Sequence, residues 1–139
     1  MKNIVEGSIA IIYKDTSDGK KFLVVKNIPS GNYTFPGGAK EDHEDNLESL
    51  LRELKEELNF EPNINVVIDT KKYVQFIFNK AKKERTGKQA KYKVFTVKID
   101  QNTIKVNANE IAEQLWLSKD EAKKKITFTD EGIILDKLF

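Results

Sequence analysis

At 139 residues the chain is sized for a single domain, residues 1–139, able to bury about two thirds of the surface its unfolded form exposes. With 39% hydrophobic and 33% charged residues, 7 Gly and 3 Pro, the composition excludes a disordered or fibrous chain. The 24 basic and 22 acidic residues nearly cancel, to +2, so bulk charge gives no reason to wrap nucleic acid, and the lack of cysteine excludes disulfide and thiolate chemistry.

In chain order, Met1 to Tyr13 is too short and too alternating to span a bilayer and lacks the basic start and cleavage site of a signal peptide. It reads as a strand, and a cytoplasmic protein with no membrane partner is expected. Ile4 to Lys14 is rich in β-branched residues, meets the turn-forming run Asp15 to Lys20, and continues into Phe22 to Val25, which predicts a hairpin. Ile28 to His43, with two prolines and three glycines, shows neither helical nor strand period and is expected to be a long loop. Leu47, Leu50, Leu51, Leu54 and Leu58 then recur at three- and four-residue steps, one apolar stripe on a helix that Pro62 closes off. Strands are expected at Ile64 to Ile68, Tyr73 to Phe78 and Tyr92 to Ile99, the last two flanking a Lys-rich connection from Lys80 to Lys91. Ser118 to Glu121 has capping-box spacing and should open a short helix, and Thr129 or Asp130 should start a last one ending near Phe139.

Glu53, Glu56 and Glu57 stand at i, i+3 and i+4 on the leucine helix, so their carboxylates share one face. Like charges at these spacings destabilise an isolated helix by a few tenths of a kcal/mol per pair, so a compensating cation is expected. Clustered hard oxygens suit Mg²⁺, with Mn²⁺ as the alternative, and no His or Cys cluster favours a softer metal. Pro36-Gly37-Gly38, shortly before the helix, gives a backbone able to bring a carbonyl to the same cation.

These residues spell a family pattern. Gly38, Glu44, Arg52-Glu53-Leu54, Glu56-Glu57 and Phe60 match the spacing of the Nudix box, so the chain resembles a Nudix hydrolase. The one departure is Asn59 where the family has Gly, and Asn is the non-glycine residue that best tolerates the left-handed conformation expected after a helix. Six fixed positions meet by chance with odds on the order of one in a hundred thousand. Hairpin, box helix, later strands, Trp116-Leu-Ser and two closing helices follow the family's order, so the resemblance spans nearly the whole chain. It implies an α/β fold of the Nudix type, an α/β/α sandwich with a mixed sheet.

The resemblance further implies hydrolysis of a diphosphate linkage in a nucleotide-type substrate. Glu53, Glu56 and Glu57, with a Gly37 or Gly38 carbonyl, are expected to hold Mg²⁺. Glu53 is the first choice of general base, Glu44 is expected to support the metal shell, and Glu110 or Glu113 are alternatives for the base. Arg52 is expected to orient the glutamates through Glu48 or Glu56. The chain has no proline after Pro62, where relatives preferring ADP-ribose often carry one, and Phe76, Ile77 and Phe78 stand where dinucleoside-polyphosphate hydrolases often carry a tyrosine. A (d)NTP, releasing NMP and pyrophosphate, is therefore the expected substrate, with a dinucleoside polyphosphate or an RNA 5′ end as alternatives. Tyr33 and Phe35 are candidates to stack on the base, Lys26 to touch phosphate, and Phe76 and Phe78 to line a base pocket, with core packing as the competing reading.

Bland readings compete elsewhere. His43 is expected to be an exposed loop residue, and Trp116 a packing residue. Lys80, Lys82, Lys83, Arg85, Lys88, Lys91 and Lys93 read as charges that guard a sheet edge, with contact to an RNA 5′ end as the sharper alternative. A nucleotide sensor that binds without hydrolysis is a rival function, set against the intact glutamates. Prenyl-diphosphate isomerisation on the same fold needs a cysteine the chain lacks. A homodimer is an assembly the resemblance allows.

Overall fold

A computed structural model describes residues 4–78, 87–100 and 104–139. The hairpin forms as expected: β1 (Ile4–Thr16) and β2 (Gly19–Asn27) pair antiparallel from Thr16↔Gly19 back to Tyr13↔Phe22. Beyond that pair the arms fork. The free edge of β2 takes β3 (Tyr33–Thr34), and the free edge of β1 takes β4 (Gly37–Ala39). The expected loop from Ile28 to His43 thus contains two short strands, each too short to show a period in sequence. Phe35 and Pro36 cross the fork, and the Ala10 N–H donates to the Pro36 carbonyl at 2.9 Å.

The box helix α1 is Asn46–Leu58, opened by a capping box between Asp45 and Glu48. It ends on Asn59 in the left-handed conformation (φ 51°, ψ 39°). Ile64–Val66 forms a short 3₁₀ turn where a strand was expected, because the Asn63 side chain accepts from the Asn65 N–H and turns the chain before pairing begins. β5 (Val67–Ile77) and β6 (Gln89–Lys98) pair antiparallel, and β6 runs parallel to β1 along its other edge. β7 (Ile111–Leu117), not anticipated as a full strand, pairs with the outer edge of β2. α2 (Lys119–Lys125), with its Ser118–Glu121 capping box, and α3 (Thr129–Leu138) close the chain.

The sheet is mixed, with the path β3-β2-β1-β6-β5 and with β4 on β1 and β7 on β2. Its two faces carry separate cores, which is why β1 and β2 read as continuous apolar runs. Ala10, Ile12, Leu23 and Val25 meet Leu50, Leu54 and Leu58 of α1, while Ile9, Ile11, Phe22 and Val24 meet Ala122, Ile134 and Leu135 of α2 and α3. This is the α/β/α sandwich that was expected. Each fully buried leucine of the α1 stripe contributes roughly 1.5–3 kcal/mol, which outweighs the glutamate repulsion on the neighbouring face.

Candidate active site

The fork between β1 and β2 opens a crevice of roughly 390 Å³, within the range of small-molecule sites, lined by Asn27, Pro29, Gly37 to Glu41, Arg52, Glu53, Glu56, Glu57 and Glu110. One wall is the acidic face of α1 and the other is β4. Gly37 has φ +148°, and a Cβ there would stand 2.1 Å from the Ser8 carbonyl oxygen. A Cβ on Gly38 would meet the Glu53 carboxylate at 2.7 Å. Gly37 is therefore required by its backbone conformation and its close approach to β1, whereas a side chain at Gly38 would displace the end of Glu53.

Arg52 organises the carboxylates. Its Nε and Nη2 donate to Glu44 at 2.7 and 2.9 Å, its Nη1 to Glu53 at 3.1 Å and Glu56 at 3.2 Å, and Nη2 also reaches the Ala39 carbonyl at 3.1 Å. Of the two expected partners, Glu56 is one; Glu48 instead caps α1. Both oxygens of Glu44 are held by Arg52, and Oε1 also accepts from the Glu41 N–H. Those bonds hold its carboxyl down at about 2, so it is ionised and positions Arg52.

Glu57 is the buried member, 6% exposed, and accepts from the Gly37 N–H at 3.0 Å. Burial, then the charge of Glu53, pushes its carboxyl well above the usual range, and Glu110 and Glu56 add to this. Burial likewise raises Glu53, with Arg52 opposing and Glu56 and Glu110 reinforcing. Like charges held together in a low dielectric invite a cation, and a donor set of oxygen alone fits a hard dication such as Mg²⁺. Among the described residues, the acidic and histidine side chains whose ligand atoms all lie within 4.8 Å of one another are Glu41, His43 and Glu44, at the crevice mouth. The box glutamates are splayed wider, Glu56 outward to Arg52 and Glu57 inward to Gly37.

The other candidates divide. Glu110 lines the crevice, whereas Glu113 accepts from the Tyr33 hydroxyl on β3. The Tyr33 ring lies beneath the ammonium groups of Lys26 at 5.6 Å and Lys125 at 4.4 Å. Phe35 is a correction: its ring is 1% exposed in the core beneath α3, which leaves no face for a base. Phe76 stacks on Phe128 at 4.2 Å and meets Phe78 and Tyr92 edge-on, so both phenylalanines pack on the sheet face opposite α1, as core. His43 is exposed, and Trp116 packs against the α1-side core. Lys91 and Lys93 lie against the Tyr73 ring, and with Lys88 they line no part of the crevice. Lys80, Lys82, Lys83 and Arg85 fall outside the described residues. Sequence reasoning missed Asn27 and Lys40 in the crevice, and it missed Glu131, whose carboxyl is buried behind the crossing strand.

The NUDIX domain model matches residues 6–137. The chain belongs to the Nudix family. Its place there makes it a Nudix-type pyrophosphohydrolase, the enzyme class the box implied, and divalent metal use is general in that class. Comparison with curated protein sequences returns no match. Among solved structures, the E. coli dihydroneopterin triphosphate pyrophosphohydrolase superposes with a TM-score of 0.80 at 15% identity, over 98% of this chain and 94% of that one. A MutT protein from Methanosarcina mazei Go1 gives 0.76 at 21% identity, over 99% and 96%. A C. elegans Ap4A hydrolase gives 0.71 at 19%, over 95% and 93%. At these identities the structural neighbours establish the Nudix fold. Among the described residues no helix is long and apolar enough to cross a membrane.

Proposed function

We propose that this Nudix protein hydrolyses a nucleoside triphosphate or deoxynucleoside triphosphate to the monophosphate and pyrophosphate, with Mg²⁺ as cofactor. The observation that carries this reading is the Glu57 carboxyl, buried at the crevice wall beside Glu53, Glu56 and Glu110. Glu53, Glu56 and Glu57, with a Gly37 or Gly38 carbonyl, would hold the cation. When bound, it supplies charge neutralisation at the diphosphate and a more acidic water.

The chain's own residues do the rest. Arg52, anchored on Glu44, fixes Glu53 and Glu56 against β4. Lys40, which lines the crevice, would meet phosphate oxygens, whereas Lys26, expected to do so, alternates onto the opposite sheet face and lies over the Tyr33 ring. Glu53 takes the proton of the attacking water, with Glu110 as the alternative base within the same crevice. Water oxygen bonds to the α- or β-phosphorus, the P–O bond of the α–β bridge breaks, and its electron pair leaves with the departing pyrophosphate or nucleoside monophosphate respectively.

The relatives whose names include a triphosphate or Ap4A substrate support the substrate class, and the absence of the tyrosine and proline markers favours the triphosphate. The test is phosphate and pyrophosphate release with Mg²⁺ across NTPs, oxidised dNTPs, ADP-ribose, dinucleoside polyphosphates and triphosphorylated RNA, for wild type and Glu57→Gln. Turnover of triphosphates, lost in the variant by a hundredfold or more as an order of magnitude, is the expected result. Binding of a nucleotide without turnover would replace this reading with a sensor.

A further inference from the structure

Among the described residues each α-helix carries a glutamate at its third position, and α1 and α2 use it alike. Glu48 in α1 and Glu121 in α2 fold back to accept from the backbone N–H of their own cap residues, each at 3.0 Å. In α3 the equivalent is Glu131. Its cap residue is Phe128, which makes no side-chain capping bond, and Glu131 is turned into the protein, where it is 1% exposed. Its Oε1 accepts from the Phe35 N–H at 2.9 Å, across 96 residues of sequence. A buried carboxyl with one amide bond does not recover its desolvation cost, and a forgone helix cap adds to the loss. Fold stability alone gives no reason for this arrangement.

The position of the bond does. Phe35, Pro36 and Gly37 are the crossing between the two arms of the fork, and three consecutive residues are tied to three different layers. The Phe35 N–H goes to Glu131 of α3, the Pro36 carbonyl accepts from Ala10 of β1, and the Gly37 N–H goes to Glu57 of α1. Two buried carboxyls from opposite faces of the sheet thus grip amides two residues apart. Gly37 and Gly38, which form the crevice wall, follow directly.

We propose that Glu131 is a positioning residue for the active site: by holding the Phe35 amide from the α3 side, it sets the Gly37–Gly38 backbone against Glu53 and Glu57. The bond asks only for an acceptor oxygen, so a neutral carboxyl or an amide serves equally. The activity arm of the test rests on the hydrolase reading above, and the amide-exchange arm does not.

The experiment compares wild type, Glu131→Gln, Glu131→Leu and, as a control, Leu135→Ala, which thins the same core but keeps the Glu131 carboxyl that accepts from the Phe35 amide. Glu131→Leu should lower kcat roughly ten- to a hundredfold with KM within about threefold, as expected when a site is misplaced by a fraction of an ångström to an ångström. Amide exchange at Gly37, whose N–H is held by Glu57 and not by residue 131, should quicken by about tenfold or more in the same variant. Glu131→Gln should keep both quantities within about threefold of wild type, and Leu135→Ala should lower the melting temperature while sparing kcat. Where Glu131→Leu does not fold, Glu131→Asp, too short to reach the Phe35 amide, takes its place with the same expectations.

An unchanged kcat and Gly37 exchange in the Leu variant would overturn the proposal. So would a Gln variant as impaired as Leu, or a Leu135→Ala variant whose kcat falls as far. If wild type turns over none of the nucleotides, the hydrolase reading fails by itself, and Gly37 exchange alone decides this one.

Discussion

Asn59, the single departure from the Nudix box, holds the left-handed conformation that glycine would hold more easily, and its side-chain amide donates to the Lys105 carbonyl at 2.8 Å. That bond ties the end of α1 to the segment leading to Glu110, so the substitution gains a tether that glycine cannot make. Asn59→Gly should lose the tether, about 1 kcal/mol, and regain part of it from the easier left-handed backbone. Asn59→Ala should lose it and add left-handed strain of about 1–2 kcal/mol. Urea denaturation of the two variants checks this, and equal losses would mean that the backbone conformation carries no cost here. At this scale the sequence was informative where spacing encodes chemistry: Gly38, Arg52, Glu53, Glu56 and Glu57 all meet in the crevice. It was silent where a contact is made across the fold. Nothing in the box says that Glu44 gives both oxygens to Arg52, and nothing near Phe35 says that its amide belongs to Glu131.

Among the elements, α1 was the most legible, because five leucines at helical steps leave one reading, and Leu50, Leu54 and Leu58 are indeed fully buried. β3 and β4 were not, since two- and three-residue strands exist only through their partners. α3 was placed correctly at Thr129–Leu138, but its first turn looked like an ordinary acidic N-terminus. It sends Asp130 to the Gln75 N–H of β5 and Glu131 to Phe35. Burial, with the Asp130 charge adding, pushes the Glu131 carboxyl up to about 8, above its ordinary value of 4.5. Between these values the folded chain keeps a proton that the unfolded chain has released. This group's contribution to stability is therefore full below about pH 4.5 and is lost as pH rises to about 8. Wild-type stability should fall across that window relative to Glu131→Gln, by on the order of a few kcal/mol. Urea midpoints at pH 5 and pH 8.5 measure the difference. Parallel pH profiles for the two proteins would mean that Glu131 is ionised when folded.

The whole molecule explains why the fork could not be read from sequence. The parallel β1–β6 pairing joins Ile4 to Gln89, and hydrophobic alternation identifies strands without naming their partners. It also explains why the acidic crevice exists only in the folded chain: Gly37, Glu53, Glu57 and Glu110 come from β4, α1 and the turn before β7. A cation that binds there and not to the unfolded chain must stabilise the fold, by about 2.7 kcal/mol at a hundredfold excess over its dissociation constant. With an unfolding entropy of about 0.3 kcal/mol/K for a chain of this length, the melting temperature should rise by roughly 9 °C. Glu57→Gln should behave in the opposite way on both counts. Its amide oxygen can still accept from the Gly37 N–H, and removing a buried charge beside Glu53 should raise the melting temperature without Mg²⁺ above that of wild type. The Mg²⁺ shift in that variant should shrink to about 2 °C or less. Thermal melts of both proteins with MgCl₂, matched in ionic strength by NaCl, separate site binding from screening. A wild type that gains no more from Mg²⁺ than the variant does would show that the buried glutamate repulsion is relieved by protonation instead.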